Sequence, residues 1–294
     1  MSDDLVNVDC DLCGSDRKQL VLIESDLPVC RCLDCSLIYV NQRPRREINE
    51  DVNYFGNVDH IKKHAARYEE VFSKYVAAIT KIKPERGKLL DVGCGFGLFM
   101  KRAQESGWDV FGVDVSRAAT EYATYTLRLS NVARCEVEHA PYERNSFDCV
   151  TLWNVIEHVP SPTSVLRECK TFLKNDGMIV VRVPNIAFVS KVWRLRYVLQ
   201  GLRAVTGANL PGWSTSFLAG RPPHHLFGFT PITLKKALTQ TGFVNVSVHP
   251  AILSKAATRS TLYKPLGLVS RIAYRTSLGN AIVCPSMTAF AYNA

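Results

Sequence analysis

Two stretches decide the fold: Lys88-Leu-Leu-Asp-Val-Gly-Cys-Gly-Phe-Gly97 and, after a short helix, Trp108-Asp-Val-Phe-Gly-Val-Asp114-Val-Ser116. The first is an apolar run of strand length that ends in an acid and then alternates glycine, and the second is another apolar run that ends in an acid. Between them lies a segment of helical periodicity reaching Gln104. Reading outward, a helix is predicted around residues 117–127, a buried strand over Ser146–Trp153, a helix over 162–173 and a strand over Met178–Val183. Thr230–Leu238 reads as a helix with proline in its first turn and Gly242 after its end. Phe243–His249 and Ala281–Tyr292 read as two closing strands. Strands alternating with helices at this pitch predict an α/β fold with a mostly parallel, Rossmann-like sheet and helices on both faces.

The glycine loop carries the first chemical signal. Glycines 93, 95 and 97 allow a tight turn and a close approach of backbone to ligand at the carboxyl end of the first strand, where open α/β sheets bind ligands. A dinucleotide fingerprint would be G-x-G-x-x-G and would aim the next helix at a pyrophosphate. Here Asp91 stands beside the loop, which disfavours a pyrophosphate and suits a cation such as a sulfonium bearing an amino group. Asp114, at the end of the second strand, is placed to accept the two hydroxyls of a ribose. Its plainer reading is a carboxylate complementing a helix dipole. Glu136, Val137 and Glu138 fall near the end of the third strand, where an acid or a backbone amide could meet an adenine.

The N-terminus carries the second signal. Cys10-Asp-Leu-Cys13 recurs in form as Cys32-Leu-Asp-Cys35, with 18 residues between the pairs. Two such knuckles can close four thiolates around one zinc, leaving no open position for water, so the expected metal is structural, one per chain. Cys30 lies outside the second knuckle and is expected to be a spectator. Cys94, Cys135, Cys149, Cys169 and Cys284 are scattered singly among apolar residues and read as small core side chains. The organisation expected is a zinc-binding module over residues 1–45, a linker and lead-in helix over 46–85, and a catalytic domain over 86–294 with an insertion at 186–222. The polar stretch 41–60 reads as the linker, and Ala65, Tyr68, Val71, Phe72, Tyr75, Val76 and Ile79 recur at helical spacing after it.

Composition sets the remaining bounds. The 294 residues are 47% hydrophobic, enough for a large core, yet no stretch approaches the roughly 20 uncharged apolar residues of a membrane span. The acidic start at Ser2, Asp3 and Asp4 does not resemble a signal peptide, and a cytoplasmic location is expected. Charge is uneven: residues 1–185 hold 24 basic and 27 acidic residues, so all of the +9 net charge lies beyond them. A field of that sign concentrates anions, whether phosphate esters, nucleic acid or an acidic membrane surface, the plainer alternative being a solvated basic face with no partner.

Taken in order, Leu90–Gly97, Gly112-Val-Asp114, Ser146-Phe-Asp148, Trp153-Asn-Val-Ile-Glu-His158-Val, Leu173-Lys-Asn-Asp-Gly177 and Val183-Pro-Asn185 resemble the successive motifs of class I S-adenosylmethionine-dependent methyltransferases. The likeness spans roughly residues 65–294. It is similar to a subgroup with an N-terminal zinc ribbon that methylates sugars and polysaccharides, and more distantly to the ubiquinone-pathway O-methyltransferases. The resemblance implies S-adenosylmethionine as cofactor, held by Asp91, Gly93, Cys94, Gly95, Gly97, Asp114, Val115, Glu136, Val137 and Asn154. Residues 133–140 depart from the adenine-binding motif. Histidine suits proton removal from an acceptor hydroxyl, and His225 and His158 are the candidates. Glu157 with His158 could instead hold a divalent metal. The acceptor expected is an anionic small molecule or glycan, with peripheral membrane contact as a further expectation. An RNA methyltransferase and a non-catalytic zinc-binding scaffold are the competing readings.

Overall fold

The computed structural model describes residues 5–44, 58–191, 225–253, 264–277 and 282–294. Five short strands open the chain: β1 (Leu5–Asn7), β2 (Lys18–Glu24), β3 (Leu27–Cys32), β4 (Ile38–Val40) and β5 (Gln42–Pro44). β1 and β5 pair with each other, so residues 42–44, expected to begin a linker, instead close the module as a strand. The side chain of Arg43 is turned inward there, its Nη1 donating to the Pro160 carbonyl at 3.0 Å. α1 (Val58–Ile82) then leads into the sheet.

The apolar runs are buried on both faces, as uninterrupted hydrophobic strands must be. They are β6 (Lys88–Val92), β7 (Asp109–Asp114), β9 (Phe147–Trp153) and β10 (Leu173–Pro184) from Met178 onward, and with the partly exposed edge strand β8 (Val132–Arg134) all are parallel; β12 (Phe243–Pro250) and β13 (Ser286–Asn293) join them. The order is β12-β13-β10-β9-β6-β7-β8, with β13 antiparallel to both neighbours. Side chains alternate between two cores. Leu89, Val110, Cys149, Met178 and Val180 face α1 and α2 (Leu98–Glu105), where they meet Tyr75, Ile79, Phe99 and Met100. Leu90, Val150, Leu152, Ile179 and Val181 share the other core with Leu166 of α4 (Pro162–Phe172), Leu234 of α5 (Pro231–Gln240), and Cys10, Leu37 and Tyr39 of the N-terminal module.

That module is therefore built into the second core. Its sheet has the order β11-β4-β3-β2, and β11 (Phe227–Gly228) comes from the C-terminal part of the chain, pairing Phe227 with Tyr39 and Gly228 with Ile38. Ile186 and Val189, just beyond β10, cover the same sheet by packing on Val29, Ile38 and Val40.

Other elements differ at their ends. The helix expected over 117–127 is regular only as α3 (Arg117–Glu121) and continues as a π-helical turn, Tyr122–Thr126. β10 starts at Leu173, five residues early, through an irregular register between Leu173 and Met178. β13 begins at Ser286, because residues 282–285 cross the end of the sheet, where Asn185 Nδ2 donates to the carbonyls of Ile282 and Cys284. The basic connection 255–277 contains α6 (Lys264–Thr276). Most of the insertion at 186–222, with Trp193, Arg194, Arg196, Tyr197 and Trp213, lies outside the described residues, as do Arg45, Arg46, Lys255 and Arg259.

Candidate active site

The glycine loop leaves β6 and turns back over β7. Gly93 and Cys94 both donate their amides to the Val113 carbonyl, at 2.8 and 3.0 Å, Gly95 donates to Asp114 Oδ2 at 2.8 Å, and Gly97 donates to Cys94 O at 2.9 Å. The loop thus spends these amides inside the protein, whereas a phosphate-binding loop keeps them for its ligand. Gly93 has φ +67°, and a Cβ there would stand 2.5 Å from Val155 Cγ2, so only glycine lets the β9 exit loop lie against this turn. At Gly95, with φ +51°, a Cβ would meet open space, which leaves a concavity at the carboxyl edge of the sheet.

Two carboxylates border that concavity. Asp91 is 1% exposed. Its Oδ1 accepts from Thr151 Oγ1 at 2.7 Å, while Oδ2 has no partner among the described residues. Burial raises its pKa to about 8 despite the Thr151 bond. Asp114 accepts from Ser116 N on Oδ1 and from Gly95 N on Oδ2, both at 2.8 Å, and these bonds only partly offset the upward push of burial. A buried carboxylate oxygen without a donor calls for a cation or a strong donor. Two acids with internally consumed amides fit the amino, sulfonium and ribose groups of S-adenosylmethionine and do not fit a pyrophosphate.

Other predicted cofactor residues fall around this turn. Cys94 is buried against Gly112 and Met100, and burial raises its thiol pKa well above the usual value. Val115 follows β7 directly, and its carbonyl accepts from Arg134 Nε. β8 stops at Arg134, and Val137 turns its side chain into the core, leaving Glu136 exposed at the start of a single 3-10 turn. Any Val137 contact with an adenine would thus be through backbone, since the side chain is committed to packing. Tyr68 sits beside Phe96 of the loop and stacks on Phe72 at 6.0 Å between ring centroids.

β9 delivers the second set of groups. Asn154, just past the strand, adopts φ +59° and is clamped from both sides. Its Nδ2 donates to Glu157 Oε1 at 2.8 Å, and its Oδ1 accepts from Arg182 Nη1. Glu157 is buried with Oε2 unpartnered among the described residues, and burial raises its pKa to about 7. The Glu157 carbonyl accepts both Leu226 N and Phe227 N, at 2.7 and 3.1 Å, which draws His225 onto His158 with ring centroids 4.6 Å apart. Glu157 Oε1 lies 3.9 Å from His158 Nε2. Ligand atoms of Glu157, His158 and His225 all fall within 4.8 Å of one another. Burial lowers the His225 pKa, while Glu24 acts in the opposite sense. Residues 158 and 225, chosen separately from the sequence, meet here. Thr151 and Arg182, which fix Asp91 and Asn154, left no mark in the sequence because each partner lies at least 28 positions away.

At the far side of the second core, Cys10, Cys13, Cys32 and Cys35 bring their sulfurs within 4.8 Å of one another. Cys30 is not in this cluster; it is buried on β3, and burial raises its thiol pKa. Burial opposes the Cys32 thiolate too, but hydrogen bonding from the Cys35 and Asp34 backbones outweighs it and brings its pKa to about 7. Four convergent sulfurs on two knuckles match tetrahedral zinc ligation.

Comparison with known proteins identifies the family. A family model described as a methyltransferase domain matches residues 64–248. A ubiquinone biosynthesis O-methyltransferase from Ralstonia nicotianae is 32% identical over 186 residues, covering 57% of this chain and 77% of that one. One of the same name from Neisseria meningitidis serogroup C is 39% identical over 108 residues, covering 34% of this chain and 45% of the relative, so this chain spans less than half of that protein. Among solved structures, phosphoethanolamine N-methyltransferase 2 of Haemonchus contortus, in complex with S-adenosylmethionine, superposes with a TM-score of 0.54 at 17% identity, covering 87% of this chain and 62% of that one. That likeness shows the fold alone. Among the described residues no helix is long and apolar enough to cross a membrane. A methyltransferase-domain match over residues 64–248 and 32% identity across most of a relative leave no room for a non-catalytic scaffold: the chain belongs to the methyltransferase-domain family and is an S-adenosylmethionine-dependent methyltransferase.

Proposed function

We propose that this enzyme methylates a hydroxyl oxygen of a small acceptor, and that His225, beside His158 and Glu157, removes the hydroxyl proton. The observation that carries the reading is the meeting of these three side chains on the β9 exit loop, which packs against the glycine turn through Val155 and Gly93. S-adenosylmethionine, when bound, supplies an electrophilic methyl group on a sulfonium. Asp91 and Asp114 hold its cationic and ribose portions and fix the direction from which the acceptor must come. His225, held neutral by burial, accepts the proton as the oxygen attacks. Glu157 stabilises the resulting imidazolium charge through His158. The curated relatives' name, O-methyltransferase, supports an oxygen acceptor.

The acceptor proposed is anionic, a glycan, nucleotide-linked or lipid-linked hydroxyl compound, because the chain beyond residue 176 has no acid and carries all of the net positive charge. The four cysteines are proposed to hold one structural zinc. A second reading of the transfer site is favoured by the proximity of three ligand atoms: Glu157, His158 and His225 could hold a divalent cation that lowers the acceptor pKa. The test is mass spectrometry of products formed from methyl-labelled S-adenosylmethionine with nucleotide sugars, glycans, phenols and RNA. A labelled methyl ether on a hydroxyl acceptor supports the proposal. Label only on nucleic acid, or on nitrogen or carbon, overturns it.

A further inference from the structure

The cysteine module reaches the transfer site through three separate attachments. Asp11, inside the first knuckle, lies 150 residues from its main partners: its Oδ1 accepts from Ser161 Oγ at 2.6 Å and its Oδ2 from Thr163 N at 2.9 Å. Thr163 Oγ1 also donates to the Asp11 carbonyl at 3.4 Å. Ser161 is the N-cap of α4, and it ends the loop that begins with Asn154, Glu157 and His158. Arg43 supports the same loop by donating from Nη1 to the Pro160 carbonyl at 3.0 Å, with its guanidinium 5.1 Å from the Phe227 ring centroid. The third attachment is the strand pairing of β4 with β11, reinforced by Val40 N donating to Leu226 O at 2.9 Å beside His225. Both ends of the Glu157, His158 and His225 cluster are thus tied to one small unit whose own shape depends on its four cysteines.

We infer that Asp11 is a positioning residue for methyl transfer: from within a cysteine knuckle it fixes the N-cap of α4 and so sets the loop carrying Glu157 and His158. Occupancy of the cysteine cluster thereby governs the geometry of the transfer site, while the glycine loop is held separately by its own bonds to the Val113 carbonyl and Asp114. An aspartate next to Cys10 and two positions before Cys13 couples the two because its backbone belongs to the knuckle and its carboxylate to the helix cap. The inference rests on the assignment of this cluster as the transfer site.

The test uses the full chain as Asp11→Ala and Asp11→Asn, with no acceptor present, so its failure is separable from failure of the O-methyltransfer reading. Metal content, S-adenosylmethionine affinity by calorimetry, amide exchange by mass spectrometry and the imidazole resonances of His158 and His225 at one fixed pH are measured. In Asp11→Ala, exchange in 155–165 should quicken by roughly ten-fold or more, the loss of a charged hydrogen bond. Both histidine resonances should shift, while exchange in 88–116, cofactor affinity and zinc content stay unchanged. Asp11→Asn, which keeps an acceptor for Thr163 N, should restore most of the protection. Removing zinc from the wild-type chain with a chelator should reproduce the Asp11→Ala pattern at 155–165 and 225–229. If Asp11→Ala does not fold, Ser161→Ala should give the same direction of change. A folded, zinc-loaded Asp11→Ala with native exchange and unmoved histidine resonances overturns the inference, as does an Asn variant no better than Ala.

Discussion

Replacing Asp91 by asparagine isolates the charge that the glycine loop offers its ligand. Burial pushes the carboxyl pKa up to about 8, which favours the protonated form near neutral pH, and an amide of the same shape replaces it with little change in packing. The amide oxygen can still accept from Thr151 Oγ1, now 2.7 Å from Asp91 Oδ1. Below about pH 4, where the carboxyl is protonated in both folded and unfolded chains, folding stability should therefore change by less than about 1 kcal/mol, and at pH 7 the Asn protein should be the more stable of the two. Binding is different: S-adenosylmethionine needs the ionised form, and a charge-assisted hydrogen bond is worth about 1.5–3 kcal/mol, so Kd should rise roughly 10- to 150-fold. The pH dependence carries the sharper signature. Below pH 8 the wild-type protein must lose a proton to bind, so affinity should rise by about ten-fold per pH unit towards 8. It should then fall as the ligand's α-amino group deprotonates near 7.7–8.0. In Asp91→Asn the rising limb should vanish. Linkage gives the matching stability profile. A folded-state pKa raised above the unfolded value means that this group's contribution is fully present below about pH 4 and is lost as pH rises through about 8, and the Asn variant should lack that decline. Calorimetry from pH 6 to 9 on both proteins measures the first effect and thermal melts measure the second. An Asp91→Asn protein with wild-type affinity and an unchanged pH slope would refute the assignment of this carboxylate to the cofactor.

Further outcomes follow from the same geometry. Asp114→Ala removes the acceptor for Gly95 N and Ser116 N as well as the proposed ribose contact, so calorimetry should show weaker cofactor binding and melting should show a less stable loop, with a cost of at least about 1.5 kcal/mol in each. His225→Gln should lower kcat by roughly 10²–10⁴-fold with cofactor Kd unchanged, and a variant with full kcat would place the base elsewhere. Metal analysis should find about one zinc per chain, lost in Cys32→Ser and kept in Cys30→Ser, since only the former sulfur belongs to the cluster. Arg194→Ala with Arg196→Ala should raise the acceptor KM far more than it alters cofactor affinity, and added salt should mimic part of that loss; equal effects on both ligands would sever the basic segment from the acceptor.

The sequence by itself determined the sheet and the kind of ligand it serves. Apolar runs at 88–92, 109–114, 147–153 and 178–183 carry enough Leu, Val and Ile to be buried on both faces, and burial of a whole strand is dictated locally, whatever its neighbours are. Asp91, three glycines and Asp114 were legible for the same reason, since a strand end, a turn and the next strand end lie within 24 residues. The four cysteines were legible through spacing, since two short knuckles are what brings their sulfurs within 4.8 Å of one another. Tertiary structure alone decided what joins these parts. Gln42 to Pro44 read as linker from their polarity and become a strand only by pairing with β1, and the π-helical turn at Tyr122 to Thr126 has no periodicity that distinguishes it from a helix. The loop amides of Gly93, Cys94 and Gly95 could have faced a phosphate; only their bonds to Val113 and Asp114 show that they do not. His158 meets His225, Thr151 meets Asp91, Arg182 meets Asn154 and Asp11 meets Thr163 across 28 to 152 positions of chain. Such contacts are absent from any local pattern, because the free energy that makes them comes from packing strands and the cysteine module onto one shared core.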